Sequence, residues 1–257
     1  MAASAFMKLP NARFSGGNMP KVRNIGAEVL ALAGLISWHR ASAEYLAKDT
    51  GGRVVSWGNC IGGAPSFVAR GSANRPIFTA ADANGNPGVY FSKDRLDVLD
   101  YAGTFPTGAG AASTRILIGS FPSPGSSTFS YYMAVDGAAS AVRNTLCGNN
   151  GYVRAIVSGS QTFADLAWTA GSARKVIGMS HSDASDLLKV TLNGAVAQQA
   201  NTAQMSAGTM SLGYASAAAQ APEMTLQDVF IFNADILAAD SASLALINEY
   251  AAAMYGA

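Results

Sequence analysis

The chain has 257 residues, only 13% of them are charged, and its formal net charge is +1 at pH 7. Without a basic block, this charge gives no electrostatic basis for binding nucleic acid. A chain of this length buries roughly 70–75% of its unfolded surface, so its core needs no metal or disulfide staple. The low charge and the many small residues are typical of a surface that packs in an assembly, but also of a stable exposed module.

The N-terminal segment differs from the rest of the chain. Residues 1–25 carry basic but no acidic side chains and show no hydrophobic period, so they cannot bury themselves. Such a segment is either a disordered tail or an arm that orders on a partner. Its bulky apolar residues favour the arm, and its charge favours an acidic docking surface. We therefore predict a docking arm over residues 1–26 and one sandwich domain over residues 27–257. The predicted assembly contacts are Phe6, Leu9, Arg13, Phe14, Met19, Lys21 and Arg23.

No targeting or membrane segment is evident in the sequence. The N-terminus lacks the basic start and apolar run of a secretory signal. The longest nearby apolar run, Val29–Ile36, is far shorter than a membrane span, and this region favours a short helix that leads into the first strand. Two cysteines, Cys60 and Cys147, do not make a disulfide framework. Two free thiols and a single bridge between sheets both stay open as alternatives.

Most of the chain then has the pattern of short strands joined by turns. The links are rich in glycine, serine and proline, which indicates turns rather than domain linkers. In one strand the alternation predicts an inward face of Phe129, Tyr131, Met133 and Val135, which places Tyr132 on the outer face. The predicted strands are Leu35–His39, Arg53–Trp57, Gly88–Ser92, Arg115–Gly119, Thr128–Val135, Tyr152–Val157, Thr162–Trp168, Arg174–Ser180, Leu187–Leu192, Thr209–Tyr214 and Leu226–Phe232.

The last third of the chain carries the strongest pattern. Alternation over Leu187–Leu192 is followed by Asn193-Gly194, the dipeptide most suited to the positive φ angles of a tight hairpin. The later strand that ends at Phe232 is apolar on both faces. The period then changes, and Asp240 is a suitable N-cap for a helix that ends before Gly256. The helix is predicted to bury a stripe of Leu244, Ile247, Ala251 and Met254.

The order of these elements resembles a known family. The laminin-G-like branch of the concanavalin A-like lectin/glucanase jelly rolls has similar pieces in the same order, and it is common in bacterial and phage surface proteins. The resemblance implies an all-β fold, an antiparallel β-sandwich jelly roll with a short C-terminal helix, here with an extended N-terminal arm. The pieces that carry it are L-I-S-W-H-R-A-S at Leu35–Ser42, G-R-V-V-S-W-G-N at Gly52–Asn59, R-P-I-F at Arg75–Phe78, N-P-G-V-Y-F-S at Asn86–Ser92, V-T-L-N-G at Val190–Gly194, M-S-L-G-Y at Met210–Tyr214, L-Q-D-V-F-I-F-N at Leu226–Asn233 and I-N-E-Y-A-A-A-M-Y-G at Ile247–Gly256.

The sequence argues against catalysis. Jelly-roll glucanases need paired carboxylates on one strand, in the form Glu-x-Asp-x-x-Glu, and no glutamate of this chain lies two residues before an aspartate. No lyase signature surrounds His39 or His181, and no nucleophile elbow or phosphate loop is present. The stretch from His181 to Asp186 contains metal-ligand residue types, but a polar hairpin loop explains it better. We expect no enzyme activity, no metal and no cofactor.

Three acidic residues form a second pattern of metal-ligand side chains. Asp94, Asp97 and Asp100 recur every three residues and could suggest a calcium site with the help of carbonyl groups. They lack the alternating aspartates and the closing glutamate of a dedicated calcium loop. The preferred interpretation is therefore a solvated sheet edge.

Binding is the remaining class of function. Lectin-type jelly rolls stack an aromatic ring on a sugar face and direct Asn, Asp and backbone groups at hydroxyls. The predicted carbohydrate contacts are Tyr132, Asn149, Asn150 and Tyr152. The alternative is that Asn-Asn-Gly only makes a turn and that Tyr152 only caps the sheet. The three tryptophans, Trp38, Trp57 and Trp168, lie among apolar strand residues and are predicted to fill the core.

From the resemblance to phage-type members of the family, we expect a non-enzymatic protein on a virion surface. It would decorate a capsid or form part of a tail or fibre, with the arm bound to virion proteins and the loops facing outward. A homo-oligomer, such as a trimer, would add avidity. Deletion of residues up to Ile25 should leave the sandwich folded and abolish attachment. The alternatives are an adhesin that recognises host surface glycans and a glycoside hydrolase relic.

Overall fold

The computed structural model describes residues 23–81, 85–105, 110–125, 129–137, 143–157, 162–168, 174–203, 208–213, 220–238 and 240–256. These residues form two antiparallel sheets and a C-terminal helix, so the predicted all-β sandwich is confirmed. Of the seven predicted assembly contacts, the first six, from Phe6 to Lys21, lie outside the described part of the chain. The elements are α1 (Ile25–Leu30), β1 (Leu35–Arg40), a 3-10 turn (Ala43–Tyr45), β2 (Leu46–Lys48), β3 (Val54–Trp57), β4 (Phe67–Ala69), β5 (Ile77–Thr79), β6 (Gly88–Phe91), β7 (Leu99–Tyr101), β8 (Ala112–Ser120), β9 (Ser130–Gly137), β10 (Arg143–Asn149), β11 (Tyr152–Val157), β12 (Thr162–Ala167), β13 (Arg174–Ser182), β14 (Leu187–Leu192), β15 (Ala195–Ala200), β16 (Gly208–Leu212), β17 (Met224–Phe232) and α2 (Ala242–Tyr255).

The first sheet has eight strands in the order β15-β14-β13-β8-β17-β6-β5, with β1 also paired to β17. The long strand β17 allows both β1 and β6 to join this sheet. Its start pairs with β6, and its end pairs with β1 on the same side. Its other side pairs with β8 along nearly its whole length. The second sheet has nine strands in the order β12-β11-β10-β9-β16-β7-β4-β3-β2.

The main core lies between the two sheets, and a second core lies beneath α2. Leu117 of β8 faces the sandwich interior, whereas its neighbours Ile116 and Ile118 face the helix. The same holds for β17, where Val229 packs in the sandwich and Phe230 packs against the helix side. These strands are covered on both faces, which explains why the end of β17 shows no polar alternation.

The C-terminal helix is held by its caps and by its buried stripe. The side chain of Ser241 accepts a hydrogen bond from the backbone N–H of Leu244 at 3.2 Å, so the N-cap is Ser241 and the prediction of Asp240 is wrong by one residue. The helix ends at Gly256, whose φ of 67° is the left-handed C-cap conformation. Its buried residues are Leu244, Ile247, Tyr250, Ala251 and Tyr255.

Two hairpin turns have the positive φ angles that their sequences predict. Asn193 and Gly194, between β14 and β15, have φ of 49° and 88°. Asn150 and Gly151, between β10 and β11, have φ of 51° and 74°. Positive φ at both central residues is the geometry of a type I′ turn, which matches the twist of the two flanking strands. The Asn-Asn-Gly stretch is therefore a tight hairpin turn.

Several details differ from the sequence prediction. Tyr132 is fully buried rather than outward, and His181 lies in strand β13 rather than in a loop. Trp38 and Trp57 are buried in the core as predicted, and Trp168 is half-buried against it. Strands that the sequence pattern did not predict are Leu46–Lys48, Phe67–Ala69, Ile77–Thr79, Leu99–Tyr101, Arg143–Asn149 and Ala195–Ala200.

The two cysteines are free thiols in separate environments. Cys147 is buried in β10, and Cys60 is half-buried beside the helix-covered core. Burial raises the pKa of the Cys60 thiol to about 12, which disfavours a reactive thiolate. Within the described residues, no helix is both long and apolar enough to cross a bilayer.

Candidate functional site

The β10–β11 hairpin positions the predicted binding residues at one end of the nine-stranded sheet. Asn149 and Tyr152 form the last cross-strand pair before the turn. The turn is tied to the preceding loop, because the N–H of Asn150 donates to the carbonyl of Gly125 at 2.8 Å. The N–H of Gly151 likewise donates to the carbonyl of Pro124 at 3.2 Å. The hairpin end is therefore held in a fixed position.

Two exposed aromatic rings lie on the outer face of this hairpin and its neighbour β12. Tyr152 is 40% exposed and Phe163 is 36% exposed, although both are large hydrophobic residues on sheet strands. Between them lies Arg154, whose guanidinium carbon is 5.4 Å from each ring centroid. This arrangement is a cation–π ladder across two strands. We call Asn149, Tyr152, Arg154, Phe163 and Asp165 the aromatic platform.

The polar groups of the platform hold Arg154 in place. Its Nη2 atom is 3.2 Å from Asp165 Oδ2, and its Nη1 atom donates to Asn149 Oδ1 at 3.1 Å. Arg154 and Asp165 are directly opposite each other in the strand register, so the sheet itself aligns this pair. Burial raises the pKa of Asp165, and the nearby Arg154 opposes that shift. These contacts hold the guanidinium of Arg154 between the two rings.

The predicted site residues divide into two groups. The structure brings Asn149, Asn150 and Tyr152 together at the hairpin end, where Asn150 and Tyr152 are exposed and Asn149 is buried. Tyr132 is not among them, because it lies in the sandwich core against Phe121 at a centroid distance of 4.9 Å. It cannot contact a ligand there, so its assignment to the site is wrong.

The cause of the error at Tyr132 is a β-bulge. Leu146 of β10 pairs with Met133, but the next residue, Cys147, pairs with Tyr131, so Tyr132 has no partner in the register. Two successive residues then face inward and the simple alternation fails. Tyr131 shares the outer face with Arg154, because both are register partners of Cys147, so the prediction that Tyr131 faces inward is also wrong.

A groove of about 700 Å³ opens at the same end of the sandwich. Its lining mixes aromatic, hydroxyl and charged groups, and its residues include Tyr90, Lys93, Phe121, Ser130, Glu223 and Thr225. The hydroxyl of Tyr90 donates to Glu223 Oε1 at 3.0 Å, and the Arg95 guanidinium carbon lies 5.8 Å from the Tyr90 ring. We call this feature the Tyr90 groove. Its volume lies in the range of small-molecule sites, and sequence reasoning did not find it.

Several carboxylates of the described residues are engaged in separate structural contacts. Glu28 and Glu249 both pair with Arg23, and Glu223 accepts the Tyr90 hydroxyl. These ion pairs join the start of α1 to α2. Among the described residues, Arg23 is the one predicted assembly contact, and its partners lie within the same chain. Among the described residues, no three His, Cys, Asp or Glu side chains lie close enough together to hold a metal ion.

Two aspartates of the acidic pattern, Asp97 and Asp100, have different surroundings. Asp97 is buried and accepts hydrogen bonds from the N–H of Ser92 at 2.8 Å and from Arg95 at 2.6 Å, so its solvated interpretation is wrong. Asp100 instead pairs with Arg70 at 2.8 Å. These two carboxylates are each neutralised by their own arginine.

The His181 stretch is a strand end followed by a turn. His181 is buried, accepts a hydrogen bond from Asn144 Nδ2 at 3.3 Å, and lies 3.4 Å from Asp183 Oδ1. Burial lowers the pKa of its imidazole, and the nearby Asp183 opposes that shift. Asp186 then turns the chain with a φ of 50°. The hairpin interpretation of the residues after His181 agrees with this geometry.

No protein-family model matches the sequence, and no curated protein sequence is similar to it. The fold is similar to that of Trypanosoma rangeli sialidase in complex with the inhibitor DANA, with a TM-score of 0.56 and 11% identity over 84% of this chain and 33% of that chain. A Trypanosoma rangeli sialidase in complex with sialic acid gives a TM-score of 0.50 and 12% identity over 84% of this chain and 33% of that chain.

The botulinum neurotoxin serotype D binding domain is similar as well, with a TM-score of 0.56 and 10% identity over 84% of this chain and 51% of that chain. The chain thus spans about a third of the length of the sialidases and about half of the toxin binding domain. At this level of identity the comparisons establish the fold, a two-sheet antiparallel β-sandwich. They do not transfer any activity to this chain.

Proposed function

We propose that this protein is a non-catalytic carbohydrate-binding domain and that the aromatic platform is its sugar-binding surface. The observation that carries the proposal is the pair of exposed rings, Tyr152 and Phe163, held on either side of Arg154. Two exposed rings on the same face of the sheet favour a binding role more than an apolar residue that is exposed singly, such as Val68. A pyranose ring has an apolar face that stacks on such a ring and hydroxyls that reach nearby polar groups.

The polar part of the platform suits sugar hydroxyls. Asp165 is partly exposed and supplies an acceptor oxygen, the exposed side chain of Asn150 adds an amide, and the buried Asn149 acts only by holding Arg154. A carboxylate already oriented by an arginine pays little further entropy when a hydroxyl binds to it. The fold is shared with a sialidase and with a toxin binding domain, and it is therefore compatible with a binding role.

The engagement of the carboxylates supports a non-catalytic role. Retaining hydrolysis needs two carboxyl groups about 5–5.5 Å apart, one of them free to act as a nucleophile. On the platform Asp165 is paired with Arg154, and in the groove Glu223 is bound by Tyr90. These carboxylates are therefore committed to structure or to binding, and the hydrolase relic is the weaker proposal.

The test is binding to a glycan array that carries neutral and sialylated oligosaccharides. Tyr152→Ala and Phe163→Ala should each weaken binding about tenfold, which is ~1.4 kcal/mol and the order of one lost stacking contact. Tyr152→Phe should retain binding because it keeps the ring. The matched control is Val68→Ala, since Val68 is 41% exposed and lies on β4, five strands away in the same sheet. Absence of binding by the wild-type protein to every glycan would refute the proposal.

The virion-surface role remains a proposal carried by the family resemblance. In it, residues 1–26 bind capsid or tail proteins, and several copies of the sandwich present their platforms outward. Multivalent display would raise a weak sugar affinity by avidity. Its test is co-sedimentation with purified particles, in which loss of residues up to Ile25 should abolish attachment. Attachment that survives this deletion would remove the arm from the mechanism.

A further inference from the structure

We infer that the Tyr90 groove and the aromatic platform form one extended site, so that the ligand is an oligosaccharide chain rather than a single terminal sugar. This inference rests on the proposed function and adds the length of the ligand and a second set of contacts. It depends on three observations: the lining of the groove, its connection to the hairpin, and the spacing between the two surfaces.

The lining of the groove suits a sugar unit better than an apolar ligand. The half-buried ring of Tyr90 supplies flat apolar surface and the buried Phe121 contributes only its edge, whereas Ser130 and Thr225 supply hydroxyls. Glu223 and Lys93 add an acceptor and a donor on the groove wall. Because the Tyr90 hydroxyl already donates to Glu223 Oε1, the carboxylate is oriented before a ligand arrives. An aromatic wall with fixed acceptors and donors is the usual chemistry of a sugar subsite.

The groove is connected to the hairpin through a short segment of chain. Phe121 and Pro122 line the groove, and the segment continues to Pro124 and Gly125. The carbonyls of Pro124 and Gly125 accept the N–H groups of Gly151 and Asn150 in the hairpin turn, as described above. The groove wall and the platform end therefore rest on the same hydrogen-bonded support and keep a fixed relative position.

The strand register gives the spacing between the two surfaces. Ser130 of the groove pairs with Gly148 of β10, and Gly148 pairs with Val153 of β11, the neighbour of Tyr152. Two strand spacings, about 10 Å, separate the two backbones. That span is too wide for one sugar ring and is within the reach of a short oligosaccharide. Because Ser130 shares the inner face with Val153 whereas Tyr152 lies on the outer face, a connecting ligand must also pass the end of the hairpin. One chain can thus stack on Tyr152 and continue over the hairpin turn into the groove.

The experiment measures the affinity of the full-length protein for oligosaccharide series of increasing length. The probes are chitin, cellulose and lactosamine oligomers, from the monosaccharide to the hexasaccharide, on one array. We expect affinity to rise with length and then to level off. Glu223→Ala and Tyr90→Ala should weaken binding of the longest oligomers about tenfold and leave the shortest unchanged. Tyr152→Ala should weaken binding of all lengths, and Val68→Ala should weaken none.

The possible results separate this inference from the proposed function. Glycan binding that does not depend on length, or that is unchanged in both groove variants, would overturn the extended site and leave the platform intact. No glycan binding by the wild-type protein would overturn both. Glu223→Gln serves as a second groove variant with the same shape, and circular dichroism of each variant confirms that it is folded.

Discussion

The buried carboxylate of Asp228 provides a quantitative prediction about stability. Asp228 lies in the middle of β17 with no exposed surface, and it accepts a hydrogen bond from Trp38 Nε1 at 2.6 Å. The hydroxyls of Tyr250 and Tyr255 also donate to it, so it links the first strand, the sheet and α2. Burial raises its pKa from the ordinary value of 3.8 to about 7, although its hydrogen bonds and Arg40 oppose the shift.

The magnitude follows from linkage between protonation and folding. Since the folded protein holds this proton more tightly than the unfolded chain, stability falls as the pH rises from about 4 to about 7. One pH unit of pKa difference is about 1.4 kcal/mol, so Asp228 is expected to lower the free energy of unfolding by ~4 kcal/mol across this range. Asp228→Asn keeps the shape of the protonated carboxyl group and cannot ionise.

The assay is urea unfolding of the wild-type protein and Asp228→Asn at a series of pH values from 4 to 8. The difference in unfolding free energy between the two proteins cancels the contributions of the other titrating groups. We expect this difference to shift in favour of the variant by ~4 kcal/mol as the pH rises. A difference that stays constant with pH would show that the carboxylate is ionised in the fold throughout, and the argument from burial would be wrong.

Three further predictions concern the core and the helix cap. Gly148→Ala would place its methyl group 2.3 Å from the Tyr132 hydroxyl, so thermal unfolding should show a loss of about 1–3 kcal/mol, and Tyr132→Phe, which removes an unpartnered buried hydroxyl, should restore part of it. Burial lowers the pKa of His39 from 6.5 to about 4. The neutral ring therefore stabilises the fold above pH 6.5. This stabilisation is lost as the pH falls, by ~3 kcal/mol relative to His39→Gln in urea unfolding. Ser241→Ala should cost about 1 kcal/mol by the same assay, through loss of the N-cap.

The elements that the sequence predicts well are those with a clear period. Tyr152–Val157 and Leu187–Leu192 have the predicted boundaries because each alternates between a buried and an outer face over six residues. Strands of three residues, such as Phe67–Ala69, are too short to show a period. Strand Arg143–Asn149 was missed because most of its buried residues are polar or small, and Ala195–Ala200 because it is an exposed edge of alanine and glutamine.

The site shows the same limit of sequence reasoning. The turn residues Asn150 and Gly151 are visible in the sequence, and so is Tyr152 beside them. The partners Phe163 and Asp165 were not predicted, because their position beside Arg154 depends on the register between β11 and β12. A signal was present, since Tyr152 and Arg154 share one face by alternation, as do Phe163 and Asp165. The bulge that buries Tyr132 has no comparable signal in the sequence.

The most direct test of the account is an NMR titration of the isotope-labelled protein with the oligosaccharide that binds best on the array. We expect saturable shifts of the ring signals of Tyr152 and Phe163 and of the amide signals of Tyr152, Arg154 and Phe163, with no shift at Val68 on the distant strand. Shifts that are confined to surfaces away from these residues, or no shifts at any sugar concentration, would contradict the claim that the platform binds carbohydrate.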